Sequence, residues 1–184
     1  ELSEAGHQPM SSNSKRYVMT YNGEIYNNVE IRTELSKYGA KINWRGQSDT
    51  ETLLAGFDVW GIKKTISRAE GMFAIAIWDK KTEQLILVRD RVGEKPLYYG
   101  WQGSGSKKVF IFGSELKALK KHPEFLNEID RNALALYLRY SYVPAPYSIY
   151  KGIMKVEPGE IVTISPNKNS HSTEKYWSAL DVIN

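Results

Sequence analysis

The run Thr20-Tyr21-Asn22-Gly23-Glu24-Ile25-Tyr26-Asn27-Asn28 places an amide side chain, an unhindered backbone N–H and a carboxylate at consecutive positions. An amide and an N–H side by side can hold a developing oxyanion, and an adjacent carboxylate can hold a ligand ammonium. The plainer reading of Asn22-Gly23 is a turn that ends a strand, because Asn-Gly is a common turn dipeptide. Elsewhere the reactive side chains are thinly spread. His7, His122 and His171 are too dispersed, with no acid cluster at ligand spacing, to argue a metal. Gly103-Ser104-Gly105-Ser106-Lys107-Lys108 mimics a phosphate loop but lacks the Gly-Lys-Ser/Thr ending, so it reads as a hairpin tip. Arg89-Asp90 and Lys95 bracket a glycine and read as an internal brace at a strand end.

The elements that must position these residues follow from periodicity and punctuation. Tyr17–Tyr21 is β-rich and is expected to end at Asn22-Gly23. Asn27 is a plausible N-cap for a helix carrying Ile31, Leu35 and Tyr38, stopped by Gly39. Lys41–Trp44 is a candidate short strand. Ser48-Asp49-Thr50-Glu51 has the pattern of a capping box, with Ser48 accepting from the Glu51 N–H and Glu51 reaching back. It opens a helix with Leu53, Leu54, Phe57 and Trp60 on one side and Gly61 at its end. Asp49 thus falls in a first helical turn, where the dipole already favours a carboxylate. Met72–Trp78 is continuously apolar and expected to be covered on both faces. Leu85–Val88 returns as its hairpin partner, and Leu97–Trp101 and Val109–Phe112 form a further pair. Ser114–Leu119 is a short helix candidate. Asp130 caps a helix bearing Leu134, Tyr137 and Leu138, broken by Pro144 and Pro146. Tyr137, Tyr140, Tyr142, Tyr147 and Tyr150 read as core and interface packing. Ile161–Ile164 follows the Pro158-Gly159 turn, and Ser165 to Thr173 is polar and linker-like. The order lacks strict βαβ alternation and favours an α+β layered domain with mainly antiparallel sheets.

Composition narrows the function classes. The 184 residues are 41% hydrophobic and 12% aromatic, enough for a core in one domain of ordinary size. No run reaches the roughly 20 apolar residues of a membrane span. The net charge of +4 is scattered as Lys pairs beside turn residues, which argues against a nucleic-acid face. The sequence has no cysteine, which removes disulfides and zinc ribbons. A cytoplasmic location is the default expectation.

The Asn-Gly-Glu-Ile-Tyr-Asn run closely resembles the signature of the glutaminase domain of glutamine-hydrolysing asparagine synthetases, class II glutamine amidotransferases. Further blocks follow in the family order: Ala5-Gly6-His7-Gln8-Pro9-Met10, Ser48-Asp49-Thr50-Glu51, Gly71-Met72-Phe73-Ala74, Arg89 to Tyr99, Gly113 to Leu119, Tyr142-Val143-Pro144-Ala145-Pro146 and Tyr176-Trp177. The resemblance implies an N-terminal-nucleophile α-β-β-α sandwich of two mainly antiparallel sheets. It implies that Asn22 and Gly23 form the oxyanion hole and that Glu24 and Asp49 bind the α-ammonium of L-glutamine. It further implies an N-terminal cysteine nucleophile and a carboxylate-binding arginine, both expected upstream of Glu1, so that the 184 residues alone should be inactive. On this reading residues 1–165 are a partial amidotransferase domain, truncated at its N-terminus. Residues 166–184 lead to a covalently linked synthetase domain, which would use ATP and magnesium; no cofactor is expected in this segment. A homodimer is compatible with the pattern. Two alternatives stay open: a domain that serves another carboxylate acceptor, and a non-catalytic ligand-sensing or assembly domain.

Overall fold

The computed structural model describes residues 6–38, 42–166 and 170–183. Two compact units divide the chain, one from residues 1–94 with 158–184 and the other from residues 95–157.

The first unit is built on a six-stranded antiparallel sheet. Its strands are β1 (Met10–Ser11), β2 (Tyr17–Ile25), β3 (Gly71–Asp79), β4 (Gln84–Arg89), β8 (Glu160–Ser165) and β9 (Ser170–Lys175), adjacent in that order. Three helices accompany it: α1 (Asn28–Lys37), α2 (Asp49–Trp60) and α3 (Ile62–Arg68). Strand alternation sends Met19 and Ile25 of β2, and Phe73, Ile75 and Ile77 of β3, to the face that meets Ile31, Leu35, Leu53, Leu54 and Phe57 of the helices. The opposite-face residues Ala74 and Ala76 are buried too, as a continuously apolar strand requires. Ser48 caps α2 with its hydroxyl on the Thr50 N–H, and Gly61 ends it at φ 84°. That positive φ suits a residue without a Cβ.

The second unit holds a three-stranded sheet with β5 (Tyr98–Gln102) between β6 (Val109–Gly113) and β7 (Ile153–Lys155). The β5–β6 hairpin turns through Gly103 to Lys108. Ile111, Leu119, Phe125 and Ile153 form its core beside α4 (Leu116–Leu119). Asp130 caps α5 (Arg131–Tyr140) by accepting from the Asn132 and Ala133 N–H groups. A last short helix, α6 (Ala179–Ile183), follows β9 in the first unit.

Several expectations are corrected. β2 does not stop at Asn22-Gly23 but continues to Ile25, because tertiary pairing with β3 overrides the turn preference of that dipeptide. A Cβ on Gly23 would lie 2.1 Å from the Met72 carbonyl oxygen, so the glycine serves a close strand approach rather than a bend. Asn27 makes no side-chain cap; its amide instead accepts from the Glu70 N–H and donates to the Arg68 carbonyl, tying the start of α1 to the α3–β3 connection. Gly39 and Lys41 lie outside the described residues, and Ile42–Trp44 has no strand. Ser170–Lys175, read as linker, pairs with β8 along its length; its side chains are all exposed, so no apolar alternation betrays it. Tyr137, Tyr140, Tyr142 and Tyr147 are exposed rather than core, whereas Tyr150 packs edge-on against Phe125.

Arg16 and Asp79 close the far end of the β2–β3 ladder with two hydrogen bonds, 2.9 and 2.7 Å. The Arg16 guanidinium holds the nearly buried Asp79 carboxyl below the ordinary carboxylate value. A carboxyl held down in the folded state adds stability above its unfolded pKa and loses it as pH falls through the depressed one. The acid limb of urea-unfolding midpoints, below about pH 4, should therefore be shallower in Asp79→Asn than in the unaltered chain. The variant should also be less stable near neutral pH.

Candidate functional site

The outer edge of β2 is the first wall of the site. Phe73 donates its N–H to Asp90 Oδ2 at 3.2 Å and accepts from the Asp90 N–H at 2.9 Å, so both its backbone groups turn away from β2. Gly23↔Phe73 is therefore a non-hydrogen-bonded pair. The Gly23 N–H must point the other way, off the sheet edge. Its neighbours of like parity do the same: Tyr21 N–H reaches Gln8 Oε1 at 2.6 Å and Ile25 N–H reaches Asp49 Oδ2 at 3.0 Å. Asn22 and Glu24 sit between them, exposed on the other face of the strand.

The second wall is the start of α2. Asp49 accepts from the Tyr21 hydroxyl at 2.7 Å and the Ile25 N–H on Oδ2, and from its neighbour Thr50 N–H at 2.8 Å on Oδ1. It thus pins the helix to β2. Burial, and then the hydrogen bond to Asp49, push the Tyr21 hydroxyl well above the ordinary phenol value, so it stays a donor. A carboxylate has about four lone-pair positions. Three protein donors leave Asp49 room for one more.

A further layer fixes the loop before α2. Buried Glu51 accepts from the Arg45 and Gly46 N–H groups at 2.8 and 3.1 Å. This replaces the expected reciprocal capping box, since Ser48 takes the Thr50 N–H and Glu51 reaches past it. Arg32 donates to Thr52 Oγ1 at 2.7 Å and to the Gly46 and Ser48 carbonyls, each at 3.1 Å. It pairs with Glu51 at 3.8 Å and lies 4.1 Å over the Trp44 ring.

Between these walls is a cavity of about 540 Å³ lined by Gly23, Glu24, Ile25, Asn28, Gln47, Ser48 and Asp49. Three of the residues singled out in the sequence, Gly23, Glu24 and Asp49, meet there. Asn22 does not line it but shares its strand face with Glu24. Asn28, Gln47, Tyr21 and Arg32 escaped the sequence reading. Tyr21 had a signal, the alternation with Met19 that turns it inward; Arg32 had none, because its partners lie in a loop without periodicity. Arg89 and Asp90 do brace: Asp90 Oδ1 accepts from the Glu94 N–H at 2.9 Å, and Arg89 donates to the Gly93 carbonyl at 2.6 Å. Among the described residues no group of three or more His, Asp or Glu could hold a metal ion, and no helix is long and apolar enough to cross a membrane.

Comparison with known proteins gives the family and the fold class. The family model described as a glutamine amidotransferase domain matches residues 1–177. Asparagine synthetase [glutamine-hydrolyzing] 3 of Bacillus subtilis is 36% identical over 178 residues, covering 95% of this chain and 28% of that protein. Asparagine synthetase [glutamine-hydrolyzing] 1 of the same organism is 40% identical over 164 residues, covering 89% of this chain and 25% of that protein. The chain thus spans about a quarter of the length of these curated relatives. Among solved structures, the B. subtilis glutamine phosphoribosylpyrophosphate amidotransferase with ADP and GMP superposes with a TM-score of 0.60 at 20% identity, covering 92% of this chain and 32% of that one. This likeness fixes the fold class as that of the N-terminal-nucleophile amidotransferases.

The loop wall has a direct test. Glu51→Ala removes the acceptor for two backbone N–H groups. Hydrogen exchange at the Arg45 and Gly46 amides should accelerate about tenfold or more. Amides of the β3–β4 ladder should exchange within about twofold of their original rates.

Proposed function

The chain belongs to the glutamine amidotransferase domain family, and from that membership we propose that it is the glutaminase part of a larger asparagine-synthetase-type polypeptide. The observation that carries the reading is the Gly23 N–H, turned off the sheet edge at a cavity that Glu24 and Asp49 also line. In this reading L-glutamine enters with its α-ammonium toward Glu24 and Asp49. A cysteine thiolate, supplied at the N-terminus of the larger polypeptide, attacks the side-chain amide carbon. Its α-amino group takes the thiol proton. The carbonyl oxygen becomes an oxyanion that the Gly23 N–H and the Asn22 amide stabilise. Ammonia leaves, and water then releases glutamate from the thioester. The linked synthetase part would consume the ammonia, with ATP and magnesium as its own cofactors; we assign no site for either to this segment.

The roles of Asn22 and Asp49 separate kinetically in the full-length polypeptide. A donor aimed at developing charge acts mainly in the transition state, so Asn22→Ala should lower kcat for ammonia release about a hundred- to a thousandfold with KM little changed. Asp49→Asn weakens ground and transition states alike and should chiefly raise KM. Synthesis driven by added ammonia should survive both changes. A rise in KM alone for Asn22→Ala, or an equal fall in ammonia-driven synthesis, would overturn the assignment.

The 184 residues produced alone contain no thiol. They should release no ammonia from glutamine. Release proportional to chain concentration that survives repurification would contradict this mechanism.

A further inference from the structure

We infer that Tyr21 is a positioning residue for the ligand ammonium: its hydroxyl orients the Asp49 carboxylate so that Oδ1 is the oxygen presented to the cavity. The inference rests on the ammonium reading of this cavity and adds the group that orients one of its two acids.

The donors on Asp49 are unevenly divided between its oxygens. Oδ2 accepts the Tyr21 hydroxyl at 2.7 Å and the Ile25 N–H at 3.0 Å. A carboxylate has about four lone-pair positions, about two on each oxygen, so Oδ2 is filled. Oδ1 accepts the Thr50 N–H at 2.8 Å, and Thr50 shares that proton with Ser48 Oγ at 3.1 Å. The open acceptor position of this half-buried acid is therefore on Oδ1. Asp49 lines the cavity, whereas Tyr21 does not. Tyr21 thus acts on a ligand through Asp49.

The hydroxyl comes from a fixed place. The Tyr21 ring packs against the apolar core of the first unit, and its N–H is held by Gln8 Oε1 at 2.6 Å. Burial, and then the bond to Asp49, keep the phenol protonated, so it donates throughout the working pH range. Without the hydroxyl, Oδ2 keeps one donor from β2. The terminal torsion of an aspartate is broad and roughly two-fold, so the carboxylate is then less restrained. Phenylalanine in place of Tyr21 keeps the ring and its packing and removes only the donor.

The test is steady-state ammonia release from L-glutamine by the full-length polypeptide. Tyr21→Phe should raise KM about three- to tenfold, the scale of one net hydrogen bond, and leave kcat within about twofold. A purely structural role would act differently. Tyr21 immediately precedes Asn22 and Gly23, so a disturbed β2 would lower kcat as well. Asp49→Asn should raise KM at least as far. Adding Tyr21→Phe to it should change KM by less than about twofold more, because the hydroxyl then has no charge to orient. Three results would each overturn the role of Tyr21 while the ammonium site stands on Asp49→Asn: a KM in Tyr21→Phe within about twofold of the original or below it, a kcat that falls as far as KM rises, or effects of the two substitutions that multiply. If Asp49→Asn leaves KM unchanged, the ammonium reading falls, and the role of Tyr21 with it. An unaltered full-length polypeptide that releases no ammonia would overturn the glutaminase reading and this inference together.

Discussion

The nine pairs that lock β2 to β3, from Tyr17↔Asp79 to Ile25↔Gly71, decide which backbone groups of the Asn-Gly-Glu run face the sheet edge. A slip of one residue would exchange the two faces of the strand. It would also turn the Gly23 N–H into the ladder and the Asn22 N–H out of it. The register is held at one end by the Arg16–Asp79 pair and at the other by the close approach of Gly23 to Met72. Asp90 reinforces it from the β4 side, occupying both backbone groups of Phe73 so that they cannot pair with Gly23. The buried Asp90 is therefore coupled to the site through one intervening residue, without lining the cavity.

Asp49 has a double constraint. It anchors α2 to β2 and still lines the cavity with one acceptor position left. Three donors from the protein hold it oriented, and it sits in the first turn of α2. The loop that delivers it cannot hold its own shape, since it has no strand or helix hydrogen bonds to draw on. Arg32 and Glu51 supply those bonds from the side. Burying Glu51 would be costly alone; two backbone N–H groups, Arg32 and Arg45 compensate it. The planar guanidinium suits this task because it contacts three acceptors and an indole face at once, a geometry that lysine lacks.

What was legible in the sequence depended on whether the signal was local. The apolar run of β3, the Asp130 cap and the Gly61 stop are local, and the structure has them at the expected positions. The end of β2 was misread because Asn22 and Gly23 obey a partner strand fifty residues away rather than their own turn preference. β9 was missed for a related reason: an edge strand with every side chain in solvent has no buried face to pattern, and its polar, charged composition is how an edge is kept from pairing with other chains. Gly23, Glu24 and Asp49 could be named as site residues through the resemblance. Asn28 and Gln47, which line the same cavity, and Tyr21 and Arg32, which brace its walls, are ordinary in type and come together only once α1, α2 and β2 converge.

The charge of the cavity constrains what it can hold. Its lining residues include two acids, two side-chain amides, a serine and no lysine, arginine or histidine. A carboxylate or phosphate placed there would meet like charge from Glu24 and Asp49, and only neutral donors would offset it. A cation meets the reverse, since each acid gains. A preference for a cation over an anion at such a lining does not need a tight cage. The preference lies in acids whose orientation is fixed by the β2 register and the Arg32–Glu51 loop.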